Sequence, residues 1–277
     1  MTHRTIALAI LALSSALLVG CGRPPGESRG SSSAPEDSIV VEPQQHSEDG
    51  RTISTTTASA SGGGTIKGKV LFNGNPYRQK KIDMAAKPTC AALHNSTVHV
   101  QTCVVNPENK GLQWVFVYIK SGLKGNYPAP TTPAVIDQKG CTYTPHIFGI
   151  QSGQTLNIRN SDSFEHNINV QPKKSPAFNI IQSRAGTTSR KNAFRSQELM
   201  VPFKCNIHSW MISYCGVLDH PFYAVSNADG EFTIPNVPAG NYTLGAWHEH
   251  RRLGRQQQKV TVTTGGTSEV TITYERK

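Results

Sequence analysis

Phe203-Lys204-Cys205-Asn206-Ile207-His208-Ser209-Trp210-Met211 gathers a thiol, an imidazole and a thioether on one short loop. Upstream, Asn160-Ser161-Asp162-Ser163-Phe164-Glu165-His166-Asn167 is a turn-rich segment that ends in a second histidine. Taken singly, a histidine, a methionine or a cysteine is most often a packed or solvated group. His166, Cys205, His208 and Met211 together form a donor set that packing alone does not call for.

Two imidazoles, a thiolate and a thioether are the donors of a type 1 copper centre. The sulfur donors suit Cu(I), and the imidazoles suit both oxidation states. Such a compromise site exchanges one electron with little rearrangement, so one copper ion is the expected cofactor. Zinc fits less well, because a thioether is a poor zinc ligand.

Working outward from the two segments, no long stretch after Thr65 carries a helical period. Short alternating or β-branched runs recur instead: Thr65–Phe72, Val115–Ile119, Leu156–Arg159, Ile168–Val170, Phe232–Ile234, Tyr242–Ala246, Val260–Thr263 and Glu269–Tyr274. Asn73-Gly74, Asp229-Gly230 and Pro238-Ala239-Gly240 punctuate them. Short strands interrupted this regularly predict an all-β chain of antiparallel sandwiches. Ser189–Leu199 leaves room for one helical turn.

Tyr143–Val170 and Phe203–Leu218 resemble the small cupredoxins of the amicyanin and plastocyanin type. The likeness rests on Tyr143-Thr144-Pro145-His146, Ile150-Gln151-Ser152-Gly153-Gln154-Thr155-Leu156, Asn160-Ser161-Asp162 and the Cys-x-x-His-x-x-Met spacing. It implies metal ligation by His166, Cys205 and His208, with Met211 axial. It also implies that Asn167 hydrogen-bonds across to the cysteine loop, and that His208 lies nearest the surface as the electron's exit, with Trp210 and Phe203 as apolar surface beside it. Ser209 departs from the pattern, where amicyanin-like loops usually carry proline. A second resemblance, to the carboxypeptidase regulatory-like (transthyretin-like) β-sandwich, rests on Phe222–Ala224, Asp229-Gly230-Glu231-Phe232 and Ile234–Leu244, with Gly64–Gly74 as its opening strand and turn. The wider layout is similar to exported bacterial proteins labelled methylamine-utilisation-like. The expected organisation is residues 65–125 as the first part of the regulatory-like sandwich, 131–219 as an inserted cupredoxin domain and 220–277 as the remainder. Insertion at an exposed loop costs little, and a tandem arrangement is the alternative.

Ahead of these, Ile6–Val19 is an apolar run after Arg4 that ends in Leu18-Val19-Gly20-Cys21. It is too short to span a bilayer comfortably and reads as an export signal, residues 1–20. Its end resembles the lipobox of bacterial lipoproteins, which makes Cys21 the lipidated residue. Residues 21–64, rich in Ser, Thr and Gly, bury too little to offset their ordering entropy and read as a disordered tether. The expected location is therefore extracytoplasmic, on the periplasmic face or the cell surface, held to a bacterial membrane by lipid alone.

With Cys21 and Cys205 assigned, Cys90, Cys103, Cys141 and Cys215 remain, and four cysteines allow three pairings. The family-like segments around Cys90 and Cys141 favour Cys90–Cys141, which leaves Cys103–Cys215. The formal net charge is +10. An acidic redox protein is the partner that charge would steer; nucleic acid is not expected, because no basic helix or interleaved aromatic pattern accompanies it. His248-Glu249-His250 reads as a solvated strand end, and His146 has no partner legible in sequence. The leading expectation is an electron carrier that is not an enzyme. The alternatives are an envelope carbohydrate- or protein-binding module with a vestigial cupredoxin domain, which an exposed row of tryptophans would favour, and a copper buffer.

Overall fold

A computed structural model describes residues 62–277. The strand β1 (Gly64–Asn73), the short helix α1 (Pro88–Ala91) and β2 (Phe116–Ser121) come first. Nine strands follow: β3 (Ala134–Lys139), β4 (Thr142–Thr144), β5 (Ile147–Gln151), β6 (Leu156–Asn160), β7 (His166–Val170), β8 (Phe178–Gln182), β9 (Thr188–Lys191), β10 (Glu198–Lys204) and β11 (Ile212–Leu218). Then come β12 (Tyr223–Val225), β13 (Glu231–Val237), β14 (Gly240–Trp247), β15 (Arg255–Val262) and β16 (Thr267–Glu275). The described chain is all-β apart from α1, and each of the eight runs read from sequence overlaps a strand. Residues 189–199 hold the end of β9 and the start of β10 rather than a helical turn.

Strand alternation builds the first sandwich. In β16, Val270, Ile272 and Tyr274 point inward while their neighbours face solvent, the period-two pattern of a half-buried strand. β16 pairs parallel with β1, and β13 closes the other side of β1. This three-stranded sheet faces the four-stranded β12-β2-β14-β15, around a core that includes Ile66, Val70, Val117, Ile119, Leu244 and Tyr274.

All the strands from β3 to β11 lie elsewhere. β5-β11-β10-β7-β8 and β4-β3-β6-β9 form two sheets that enclose a separate core of Ile136, Ile150, Ile158, Ile168, Phe203 and Val217 among others. The chain leaves the first sandwich after β2 and returns as β12, which pairs antiparallel with β2, Tyr223 opposite Tyr118. The second sandwich is thus interposed in sequence between two hydrogen-bonded strands of the first.

β2 explains how the two sandwiches meet. Its residues Phe116 to Ile119 are all buried, as expected of a strand covered on both faces. Val117 and Ile119 enter the first core. Phe116 and Tyr118 face the second sandwich and share a third cluster with Ile147, Met200 and Leu218. Contact is close because Gly149 and Gly216 sit opposite each other on β5 and β11. A Cβ on Gly149 would lie 2.2 Å from the Tyr223 ring, and one on Gly216 would lie 2.3 Å from the Phe116 ring. Those two rings stack at 5.4 Å over the gap the glycines leave.

One excursion crosses the boundary. Between β1 and β2 the chain is held mainly by isolated bridges and α1. Tyr77, Cys103, Val105 and Leu112 pack on the first core, whereas Ile82, Met84, Cys90 and Val98 pack on the second. Residues 82–98 therefore cap the inserted sandwich although they precede it in sequence.

Candidate metal centre

β7 and the β10–β11 loop bring the donors together. His166 is the first residue of β7 and Cys205 directly follows β10; the two strands pair antiparallel through Phe203 and Val170. The loop then folds back on itself. The Met211 N–H donates to the His208 carbonyl at 2.9 Å, and the Cys205 N–H donates to the Met211 carbonyl at 3.2 Å. A closed loop of this kind holds the thiol and the imidazole of the opening segment over one spot, with Met211 at the loop's end.

The geometry there is convergent. His166 Nδ1 lies 3.1 Å from His208 Nδ1, and Cys205 Sγ lies 3.7 Å from His208 Nδ1. The donor atoms of His166, Cys205 and His208 all fall within 4.8 Å of one another. All three residues and Met211 are buried, Met211 in the same core as Cys205. Two imidazole nitrogens and a thiol turned to one point, with a methionine at the end of the same loop, form a donor set that fits a copper ion.

Neighbouring groups fix the protonation states. Asp162 Oδ2 accepts from His166 Nε2 at 2.8 Å, which leaves the Nδ1 lone pair facing the centre. The carboxylate is itself held by the N–H groups of Gly140 and Cys141, each at 2.8 Å. Burial would raise the Asp162 pKa, but these bonds and the imidazole outweigh it and bring it below the usual carboxylate range. His166 shows the complement: burial opposes its charge, yet Asp162 and Cys205 raise its pKa. The Cys205 thiol is lowered despite burial, by His166 and by bonds from neighbouring backbone groups. His208 is pushed down to about 4 by burial and then by the charges of His166 and Lys87, so it stays neutral and able to ligate.

Asn167 joins the two segments. Its Oδ1 accepts the Asn206 N–H at 2.7 Å and lies 3.3 Å from Cys205 Sγ. Asp162 is the residue sequence reasoning passed over. Its signal was its place four residues before His166 within the quoted turn.

Several sequence expectations need correction. His208 is the more exposed of the two histidines, 3 % against 0 % for His166, but it does not open to solvent as expected, because the Cys90–Cys141 disulfide and the excursion that carries it lie against its ring. Phe203 is not apolar surface but core, packed among Phe148, Phe178 and Phe194. Trp210 is half-buried and donates its indole N–H to the Cys141 carbonyl at 3.0 Å. Cys103 and Cys215 are not a disulfide. Both are free, one in the core of each sandwich, so no bond can join them. Nor is His248-Glu249-His250 a solvated strand end: His248 is 2 % exposed, and Glu249 pairs with His146 across the junction of the sandwiches. Cys21, the export signal and residues 21–61 of the tether lie outside the described residues; β1 opens at Gly64, the tether's expected last residue.

A family model described as polysaccharide lyase family 4, domain II, of the fn3 type, matches residues 209–270. That range runs from the metal loop through β11 and into β16, and the carboxypeptidase regulatory-like assignment expected for this part finds no support beside it. No curated protein matches the chain. Solved structures similar to it include the purple cupredoxin of Nitrosopumilus maritimus (22 % identity, 30 % of this chain and 98 % of that one, TM-score 0.26). Amicyanin from Paracoccus versutus is another (16 % identity, 36 % and 96 %, TM-score 0.27). The copper-containing nitrite reductase of Thermus scotoductus SA-01 is a third (20 % identity, 38 % and 26 %, TM-score 0.28), and this chain spans about a quarter of its length.

Proposed function

We propose that the chain is a one-electron carrier with a single type 1 copper ion held by His166, Cys205, His208 and Met211, without catalysis of its own. The convergence of the His166 Nδ1, His208 Nδ1 and Cys205 Sγ atoms in one buried spot carries this reading. A copper ion bound there supplies one-electron exchange. The chain's own residues do the rest. Asp162 pins the tautomer and plane of His166, and Asn167 ties the cysteine loop to β7. Burial of all four donors keeps water out and restrains them in both oxidation states.

The same reading places the protein outside the cytoplasm, exported by residues 1–20 and anchored through Cys21. The Cys90–Cys141 disulfide supports an oxidising compartment. With His208 covered, the exposed Asn206 and Ser209 and the half-buried Ile207 and Trp210 of the same loop form the face offered to a redox partner. The net charge of +10 favours an acidic one. A carbohydrate-binding role is less well supported, because Trp114 and Trp247 are packed at the junction between the sandwiches rather than set out in a row.

Titration of the full chain with Cu(II) tests the proposal. An intense blue absorption band and a narrow copper hyperfine splitting are expected, both lost in Cys205→Ala. A pale spectrum indifferent to Cys205 would overturn the reading.

A further inference from the structure

The Cys90–Cys141 disulfide is more than a staple, because of what surrounds it. Both of its sulfurs lie within 4.8 Å of a ring nitrogen of His208. Cys141 Sγ also lies within 4.8 Å of an Asp162 carboxylate oxygen and a His166 nitrogen. All five residues are buried. As a disulfide the pair is a weak ligand; as two thiolates beside an imidazole it is a Cys2His set, with a carboxylate in reach as a fourth donor. Such a set binds soft or borderline cations strongly.

We propose that reduction of Cys90–Cys141 creates a second metal site, formed by Cys90, Cys141 and His208, that takes up Cu(I) beside the first centre. The two Cα atoms stand 5.6 Å apart. That separation also suits two thiolates bridged by one ion, whose sulfurs sit about 3.7 Å apart at metal–sulfur distances of about 2.3 Å. The backbone can therefore hold either state. Reduction breaks the S–S bond: an external dithiol gives two electrons and two protons, closes to its own disulfide and leaves two thiols. Cu(I) then displaces the thiol protons to solvent. Access requires residues 82–98 to lift; apart from the disulfide itself, the segment is held on the inserted sandwich by the packing of Ile82, Met84 and Val98 and a hydrogen bond between the His94 ring and the Gly140 carbonyl, not by a sheet. Ala91, next to Cys90, already lines an open groove with Ile82, Met84 and His94.

The site shares His208 with the centre proposed above and to that extent rests on that reading; with both sites filled the ring bridges them through its two nitrogens as an imidazolate, its N–H proton passing to solvent with those of the thiols. Anaerobic titration of the full chain with Cu(I), against bicinchoninate as competing chelator, separates the two. The oxidised protein is expected to bind one equivalent. After dithiothreitol treatment and removal it is expected to bind two, and diamide should expel the second as the disulfide re-forms. Reduced Cys205→Ala keeps one equivalent, and the Cys90→Ser/Cys141→Ser double variant holds one in either state. Equal stoichiometry in oxidised and reduced wild type, with thiol counting to show that the bond had opened, overturns the inference. Should the first centre alone be misread, the oxidised protein binds none and the reduced protein still gains one equivalent dependent on Cys90 and Cys141. The reduction and diamide steps use wild-type protein, so the result stands even where a variant fails to fold.

Discussion

Asp162 acts at one remove from the donors: it holds the His166 Nε2–H while two backbone N–H groups hold it. Asp162→Asn keeps the shape but removes the charge that fixes the ring, and should weaken copper binding roughly 10–100-fold in a chelator competition. The candidate donors were legible because seven residues of one loop carry three of them. Asp162 was not, because a carboxylate in a turn is ordinary until its hydrogen-bond partners are known. His146 and Glu249 were illegible for a different reason: 103 residues separate them, and only the packing of one sandwich on the other brings them together. Next to that pair, His248 is buried, its Nδ1 accepts the His250 N–H at 3.0 Å, and its pKa is lowered to about 3 by burial and then by His250 and His146. Unfolded, the same ring takes a proton near pH 6.5. Between pH 6.5 and about 3 the unfolded state therefore binds a proton that the folded state refuses, and stability is lost as pH falls through this window. Urea denaturation at pH 7 and pH 4.5 should show a loss of about 2–3 kcal/mol from this group. His248→Gln, which retains an acceptor for His250, should lose correspondingly less.

The excursion between β1 and β2 shows what a single element contributes. Cys90 and Cys141 are 51 residues apart in sequence, and closing a loop of that length in the unfolded chain contributes about 3–4 kcal/mol. Cys90→Ser/Cys141→Ser should lower the unfolding free energy by that amount in urea denaturation and leave a cap that opens more readily. In the copper-free protein, faster alkylation of Cys205 would report the opening. The eight strands read from sequence were those with clear alternation or β-branched runs. β9, Thr188–Lys191, carries four polar residues and no inward apolar one, so only its pairing with β6 reveals it. The cap was legible only through Cys90, whose expected bond to Cys141 ties it to the inserted sandwich; nothing in Ile82, Met84 or Val98 shows that these side chains belong to a core built from residues that come later. The Cys103–Cys215 pairing failed at this scale: counting the remaining cysteines assumes that each needs a partner, whereas these two thiols are held as buried apolar groups whose pKa values burial raises.

At the scale of the molecule, the two sandwiches are joined by a junction as tightly fitted as either core. Gly216→Val would drive a side chain into the Phe116 ring and should cost about 1–3 kcal/mol. Because Gly216 lies five residues beyond Met211 and its added side chain would meet Phe116 at the junction, the blue spectrum of the copper-loaded variant should be little changed. A thermal scan paired with a visible spectrum checks both halves of that expectation. Antiparallel sandwiches were legible from the spacing of short strands, and that there are two was implied by the two resemblances, but the closeness of their contact was not legible, since it depends on two glycines that meet only when β5 and β11 pair. The pairing of β2 with β12 has a mechanical consequence. An inserted unit whose two ends sit on adjacent strands of its host is bypassed by tension between the chain's own ends. Such a pull falls first on β1 and β16, parallel neighbours in register from Thr65–Thr267 to Asn73–Glu275. Drawn from the start of β1 and the end of β16, the pair is stretched in shear, so its hydrogen bonds resist together rather than one after another. The inserted sandwich and its donor atoms feel no stretch until the host has given way.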